Sequence, residues 1–151
     1  MKKIQQCMDT IPQGVFIVGT QMGDTYNLMT AAFVTQVSFN PCSLAVSVAN
    51  AHYTAELVSQ QGRFSLSVLA EGQEAEAKAC GFQSGRRTDK SQKVSYRLEE
   101  GLPVIEGAAS YMICQVKQTV VFEDHTIFLA EILSGDFTEA RPMIYDSKEF
   151  F

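Results

Sequence analysis

The chain has 151 residues, of which 46% are hydrophobic and 19% are charged, and its formal net charge is -5 at pH 7. This length suits one hydrophobic core, so residues 1–151 are predicted to form a single domain. The negative charge argues against a nucleic-acid surface, since phosphate binding needs a sustained positive face. No window approaches about 18 apolar residues and the N-terminus lacks a signal-peptide core, so a cytoplasmic location without membrane contact is expected.

The first half of the chain predicts mostly strands. An apolar run over 14–18 predicts the first, and a stretch rich in Thr, Val and Phe over 26–39 predicts another beyond a turn at Gly23 and Asp24. Apolar residues alternate strictly with small or polar ones over 43–48 and 64–68, which predicts two half-buried strands. Between these strands a helix is predicted to start at a Thr54 cap and run to Gly62.

The second half predicts a helix, a loop and a hairpin. Residues 73–80 are rich in Ala, Glu and Lys, which predicts a short helix closed by Gly81. The polar stretch over 81–102 predicts a loop of about twenty residues, a length that is uncommon in compact domains and tends to be functional. Two alternating runs flank a turn at Glu123 and Asp124, which predicts a β-hairpin that continues to Phe137. Several short strands with few helices favour a barrel over a parallel α/β sheet.

The four cysteines, Cys7, Cys42, Cys80 and Cys114, stand singly in the sequence. Because no CxxC pair is present, neither a zinc site nor a dithiol redox motif is predicted, and no metal is expected. Reduced thiols are favoured over two disulfides, since the chain shows no secretion signal. Cys114 lies in an apolar strand pattern and is interpreted as a core residue.

Standard catalytic motifs are missing from the sequence, including GxSxG, HExxH, the Walker loop and GxGxxG. Polar residues near strand ends favour a binding pocket instead. Small side chains over 27–33 would let a flat ligand approach the backbone, although such residues also serve packing. Thr54 begins a predicted helix, where a hydroxyl can help hold a phosphate or simply cap the helix.

Charged residues suggest two more candidates. Arg86, Arg87, Lys90 and Lys93 place four cations within eight residues, a field suited to a phosphate or a nicotinamide diphosphate, or else merely solvated. His125 follows the hairpin turn and is one of only two histidines, so it is either a ligand-binding residue or a surface turn residue.

In their order and spacing these segments resemble the flavin reductase-like family of FMN-binding split barrels, most closely its flavoredoxin-type members. The resemblance covers about Ile11 to Tyr145. Its motifs are, in chain order, Ile11-Pro12-Gln13-Gly14-Val15, Asn27-x-Met29-Thr30-Ala31, Thr35-Gln36-Val37-Ser38, Asn40-Pro41, Thr54, Gly62-x-Phe64-Ser65-Leu66-Ser67-Val68-Leu69, Gly81-Phe82, Ser84-Gly85, Asp89-Lys90, Gly101-x-Pro103 and Asp124-His125.

The resemblance implies a mainly β fold, a split β-barrel of Greek-key antiparallel strands with two or three short helices. It also implies a homodimer that binds FMN at its interface. By position, the residues implied at the flavin are Asn27, Met29, Thr30, Ala31 and Phe33 near the ring, Thr54 and Lys90 at the phosphate or ribityl end, and His125 near the flavin or the nicotinamide. His125 is the one residue for which a catalytic role is suggested.

The implied activity is electron transfer from NADH or NADPH through FMN to free flavin, dioxygen or a separate acceptor protein. A noncatalytic FMN-containing electron carrier, reduced by a partner protein, is the main alternative. A barrel of the pyridoxamine-phosphate-oxidase type, or a binding module without redox activity, is a third.

Overall fold

Strands make up most of the regular backbone. The structure, a computed structural model, describes residues 2–81 and 94–146. In chain order the elements are α1 (Lys2–Met8), β1 (Phe16–Met22), β2 (Thr25–Ala31), β3 (Val34–Phe39), β4 (Cys42–Ala49), α2 (Tyr53–Gln61), β5 (Arg63–Val68), α3 (Glu74–Gly81), β6 (Tyr96–Glu99), β7 (Leu102–Ile105), β8 (Ser110–Phe122) and β9 (His125–Phe137). Within those two ranges, no helix has the length and apolar character needed to cross a bilayer.

Seven strands form one antiparallel sheet in the order β2-β1-β5-β8-β9-β4-β3, and β6 pairs with β7 in a second sheet. The strands β2 and β3 are consecutive in the chain but lie at opposite ends of the large sheet. The connection from β4 to β5 carries α2 past the β8-β9 hairpin, which is a Greek-key crossing. The predicted mainly β, antiparallel fold is therefore confirmed.

The large sheet curls around one hydrophobic cluster. Its members come from six strands and include Val18, Met29, Val46, Leu66, Cys114 and Phe128. Ala55 and Val58 of α2 join the same cluster, so this helix covers one end of the barrel. Because residues of β2 and β4 pack together inside it, the two ends of the sheet face each other across a seam.

The stretch over 26–39 is two strands rather than one. The amide of Val34 donates to the carbonyl of Ala32 at 3.0 Å, and this tight turn separates β2 from β3. A chain that must leave one end of the sheet and enter the other cannot remain one straight strand. The break at Ala32 and Phe33 therefore lies on the seam.

A second layer covers the outside of β1 and β5. The segment β7, the helix α3 and the chain near Met143 pack there against Ile17 and Leu28. For this reason Ser65 and Ser67 are buried, with Ser65 donating to the carbonyl of Pro103 and Ser67 accepting from the amide of Ile105. The prediction of a half-buried strand was correct for β4 but wrong for β5, which is covered on both faces.

The predicted helices and loop differ from the structure in detail. The helix α2 is capped at His52 rather than at Thr54, and Gly62 closes it in a left-handed conformation with φ 72°. The predicted loop over 81–102 is interrupted by β6, while residues 82–93 lie outside the described part of the chain. The β8-β9 hairpin is confirmed, and the four cysteines, all within the described ranges, form no disulfide.

Candidate functional site

A cleft of about 790 Å³ opens along the seam between β2 and β4, beside the turn at Ala32 and Phe33. Its floor is apolar, formed by the buried side chains of Met29, Ala31 and Val48. The full lining comprises Gln5, Met8, Asp9, Ile11, Gln13, Val15, Met29, Thr30, Ala31, Ala32, Phe33, Ser47, Val48, Ala49, His52, Ala77, Lys78, Gly81, His125, Tyr145 and Asp146. Its volume is within the range usual for sites that enclose small molecules and cofactors.

One side of the cleft is aromatic. The rings of Phe33 and His125 lie 5.6 Å apart between centroids and are inclined by 32°. His125 Nδ1 lies 2.8 Å from Asp124 Oδ1, and this hydrogen bond lowers the pKa of the Asp124 carboxyl. The imidazole is thus held from two directions while about 29% of its side chain remains exposed.

A second side of the cleft is polar and charged. Thr30 donates from its hydroxyl to the carbonyl of Ala77 at 2.6 Å, which fixes α3 beside β2 and places Lys78 at the cleft. The amide of Tyr145 donates to the carbonyl of Gln13 at 2.8 Å, so the C-terminal segment lies along the same side. Burial, followed by the charges of Asp9 and Asp146, raises the pKa of the Tyr145 phenol.

Five of the predicted site residues line the cleft together: Met29, Thr30, Ala31, Phe33 and His125. The structure places two others elsewhere. Asn27 and Thr54 are 2% and 3% exposed and do not line the cleft, and the Asn27 amide donates to the Thr54 hydroxyl at 2.7 Å. The predicted role of Lys90 falls on a residue outside the described ranges, as do those of the neighbouring cations.

Several lining residues were not predicted from the sequence. The helix α1 supplies Gln5, Met8 and Asp9, and α3 supplies Lys78. One signal for α1 was present, since Ile4, Met8 and Ile11 recur at helical spacing. No comparable pattern marks Lys78 or Tyr145, because their position depends on tertiary packing.

The lining suits a flat ligand with a polar extension. The small residues Ala31, Ala32 and Ala49 leave room at the floor, and Phe33 offers a ring face. Titratable groups are spread along the cleft, namely His52, His125, Lys78, Tyr145, Asp9 and Asp146. Such a site can position a planar group and bind charged or hydroxylated substituents.

A family model described as the flavin reductase like domain matches residues 8–151. The chain belongs to this family. Among related sequences, the high molecular weight rubredoxin of Moorella thermoacetica is 31% identical to this flavin reductase-like chain over 144 residues. That match covers 93% of the chain and 63% of the rubredoxin, so the chain spans less than two thirds of this relative.

Two solved structures show the same fold. The NADH:FAD oxidoreductase SgcE6 of Streptomyces globisporus C-1027 superposes with a TM-score of 0.90 at 26% identity, covering 96% of this chain and 88% of SgcE6. Flavoredoxin from Methanosarcina acetivorans gives a TM-score of 0.80 at 28% identity, covering 93% and 78%. The predicted flavin reductase-like family and its split-barrel fold are therefore confirmed.

Proposed function

We propose that this protein is a flavin-dependent oxidoreductase that binds FMN in the seam cleft and passes electrons from NADH or NADPH to free flavin or a downstream acceptor. The observation that carries the proposal is the convergence of Met29, Thr30, Ala31 and Phe33 with His125 around one cleft. Membership of the flavin reductase-like family supports it, as does the likeness to a protein named NADH:FAD oxidoreductase.

The residues of the cleft fit a flavin. The small side chains of Ala31 and Ala32 would let a planar ring approach the strand, where backbone groups can bind ring heteroatoms. Phe33 and His125 border one side of that space. A bound flavin supplies hydride acceptance at its N5 atom, while the protein supplies binding and orientation.

His125 is proposed to orient the second ligand rather than to anchor the flavin. It lies at the rim, partly exposed, whereas Met29 and Ala31 form the buried floor. Its hydrogen bond with Asp124 and its contact with Phe33 restrict the imidazole. A nicotinamide entering after the flavin would meet this ring first.

We further propose that the protein forms a homodimer through the outer face of β3, β4, β8 and β9. Small residues line this face on β4, at Ala45, Ser47 and Ala49, and they are only half-buried. Exposed apolar side chains continue it on β8, with Val120 44% and Phe122 65% exposed. Because Phe122 pairs with His125 in the hairpin, this surface adjoins the cleft, and a second copy would complete the flavin site.

The visible spectrum of the purified protein tests flavin binding. An oxidised-flavin band near about 450 nm, retained after gel filtration with added FMN, is expected of a flavoprotein. Anaerobic mixing with NADH or NADPH should then bleach this band rapidly. A protein that stays colourless with FMN would refute the proposal, and a yellow protein that neither nicotinamide bleaches would favour the electron carrier.

The dimer is tested by light scattering on a size-exclusion column. Phe122→Asp places a charge on the proposed interface and should yield monomers. Leu98→Asp is the matched control, since Leu98 is 47% exposed on β6, away from this face. Equal masses for the two variants at the same concentration would refute this interface.

A cytoplasmic location stays a prediction from the sequence.

A further inference from the structure

One rim of the cleft carries several sources of negative charge. Asp9 lines the cleft directly after α1, and Asp146 lines it from the C-terminal segment. The two carboxylates act on the same phenol, that of Tyr145, so their fields overlap within the cleft. A ligand group bound at this rim therefore lies in the negative field of both carboxylates.

The end of α1 adds to the negative potential. Helix C-termini present carbonyl oxygens and a partial negative charge, and cations are the side chains usually favoured there. The last turn of α1 contains no basic residue, and Asp9 follows it, with its amide donating to the carbonyl of Gln5 at 2.9 Å. The carboxylate of Asp9 thus lies where the local field disfavours a negative charge, which suggests a use other than stabilising the helix.

Asp9 also retains the capacity to accept hydrogen bonds. The Gln5 side-chain amide donates to Asp9 Oδ1 at 3.1 Å, and a carboxylate has about four lone-pair sites in all. The side chain is exposed and faces a cleft that is large enough for a nucleotide. A carboxylate of this kind binds a ribose 2′-hydroxyl well and repels a phosphate in the same position.

The positive charge of Lys78 suits the diphosphate, which NADH and NADPH have in common. Tyr145 packs against the buried cluster to which Ala77 and Cys80 of α3 belong, and both Tyr145 and Lys78 line the cleft. Lys78 can pair with the diphosphate present in both dinucleotides. The acidic rim then distinguishes them, because only NADPH carries the additional 2′-phosphate.

Resting on the proposed function, we propose that Asp9, assisted by Asp146, is a specificity-determining residue that makes the protein prefer NADH to NADPH. Two unit charges about 4 Å apart in water change an equilibrium constant by about fivefold, and a phosphate monoester carries nearly two negative charges, so repulsion by one carboxylate amounts to about tenfold or more. We therefore expect about a tenfold or larger preference in kcat/KM for NADH.

The kinetic test compares the two dinucleotides on the flavin-loaded native protein and on Asp9→Asn. The substitution should raise kcat/KM for NADPH about tenfold and change the NADH value less than about threefold, since Asn keeps a carbonyl acceptor. Asp146→Asn should act in the same direction. Asp24→Asn is the matched control, an exposed carboxylate at the β1-β2 turn that does not line the cleft. A ratio unchanged by both cleft substitutions would overturn the proposal.

A binding test separates this proposal from the proposed function. ADP-ribose and 2′-phospho-ADP-ribose are titrated calorimetrically into the flavin-loaded protein, so no electron transfer is needed. Tighter binding of ADP-ribose, reduced or reversed in Asp9→Asn, supports the proposal. Equal affinities, or binding of neither compound, overturn it even if the flavin spectrum shows that the flavin site is intact.

Discussion

The Asn27 side-chain amide donates a hydrogen bond of 2.7 Å to the Thr54 hydroxyl, and both side chains are buried. This bond joins β2, whose end leads to the cleft, to the first turn of α2. Two residues assigned to the flavin by position are therefore linked to each other inside the barrel. The bond restrains the strand that carries Met29 and Thr30, and the flavin contacts of Asn27 and Thr54 stay predictions.

We expect Thr54→Val to destabilise the fold by about 1 to 3 kcal/mol, because it removes the acceptor of a buried amide. Urea unfolding measures the change. Thr10→Val is the control, since the Thr10 hydroxyl donates to the carbonyl of Cys7 on an exposed surface. A double-mutant cycle with Asn27→Ala should show coupling above about 0.5 kcal/mol. A large loss of flavin affinity in Thr54→Val at unchanged stability would contradict this interpretation and support a direct phosphate contact.

Phe33→Ala should weaken flavin binding by about five- to tenfold. The ring is 51% exposed and borders the cleft, so its removal takes away an aromatic contact worth about 1 kcal/mol. Phe137→Ala is the control, since it removes a ring of the same size that is 79% exposed, lies at the end of β9 opposite His125 and does not line the cleft. Fluorescence titration with FMN compares the two variants. Equal affinities would show that the ring of Phe33 does not contact the flavin.

His125→Gln should retain flavin and slow the reduction of the flavin by the nicotinamide by about tenfold. The reason is that the imidazole orients the nicotinamide, and a misplaced reactant reacts more slowly. Asp124→Asn should slow the same step less, because it releases one of the two contacts that hold the ring. Stopped-flow absorbance under anaerobic conditions measures the rate, with the flavin spectrum recorded first. Loss of flavin from His125→Gln at an unchanged reduction rate would instead assign His125 to the flavin.

Gly19→Ala should destabilise the protein by about 1 to 3 kcal/mol, as overpacking of a filled core does. A Cβ at this position would lie 2.6 Å from the carbonyl oxygen of Pro103, which is backbone and cannot rotate away. Ser110→Thr provides a control, since it also adds one heavy atom to a strand but at a half-buried position at the start of β8. Thermal unfolding compares the two, and equal stability would show that β7 can move away from β1.

The parts of the fold predicted from sequence were those with a local periodic pattern. Alternation located β4, β5 and the β8-β9 hairpin, and Gly62 marked the end of α2. Burial of Ser65 and Ser67 could not be predicted, because it depends on β7 covering β5 from a distant part of the chain. The break at Ala32 also has a nonlocal cause, namely closure of the sheet.

The same distinction applies to the site. Met29 and Thr30 were identified because they stand in an ordered motif on one strand, and they do line the cleft. Thr54 belongs to the same set of motifs but forms a buried hydrogen bond with Asn27. No sequence signal distinguishes a residue that lines the cleft from one that forms such a bond. Lys78 and Tyr145 reach the cleft through helix packing and through a bridge between Gly14 and Ile144, neither of which leaves a periodic pattern.

Cys114 should make stability depend on pH in the alkaline range. Burial raises the pKa of its thiol from 9.0 to about 12, so the folded protein holds this proton more tightly than the unfolded chain. The resulting stabilisation is fully present below about pH 9 and is lost progressively as the pH rises from about 9 to 12. A difference of about three pKa units corresponds to at most about 4 kcal/mol.

Urea unfolding under reducing conditions between about pH 7 and pH 10.5 tests this dependence. Cys114→Ala should be less stable at neutral pH because it leaves a small cavity, yet its stability should fall less steeply above about pH 9. Cys42→Ala, at an exposed thiol, should follow the native profile. Other groups that titrate in this range contribute equally to all three proteins, so the difference in slope reports Cys114. Parallel profiles for native protein and Cys114→Ala would show that this thiol ionises as readily in the folded state as in the unfolded chain.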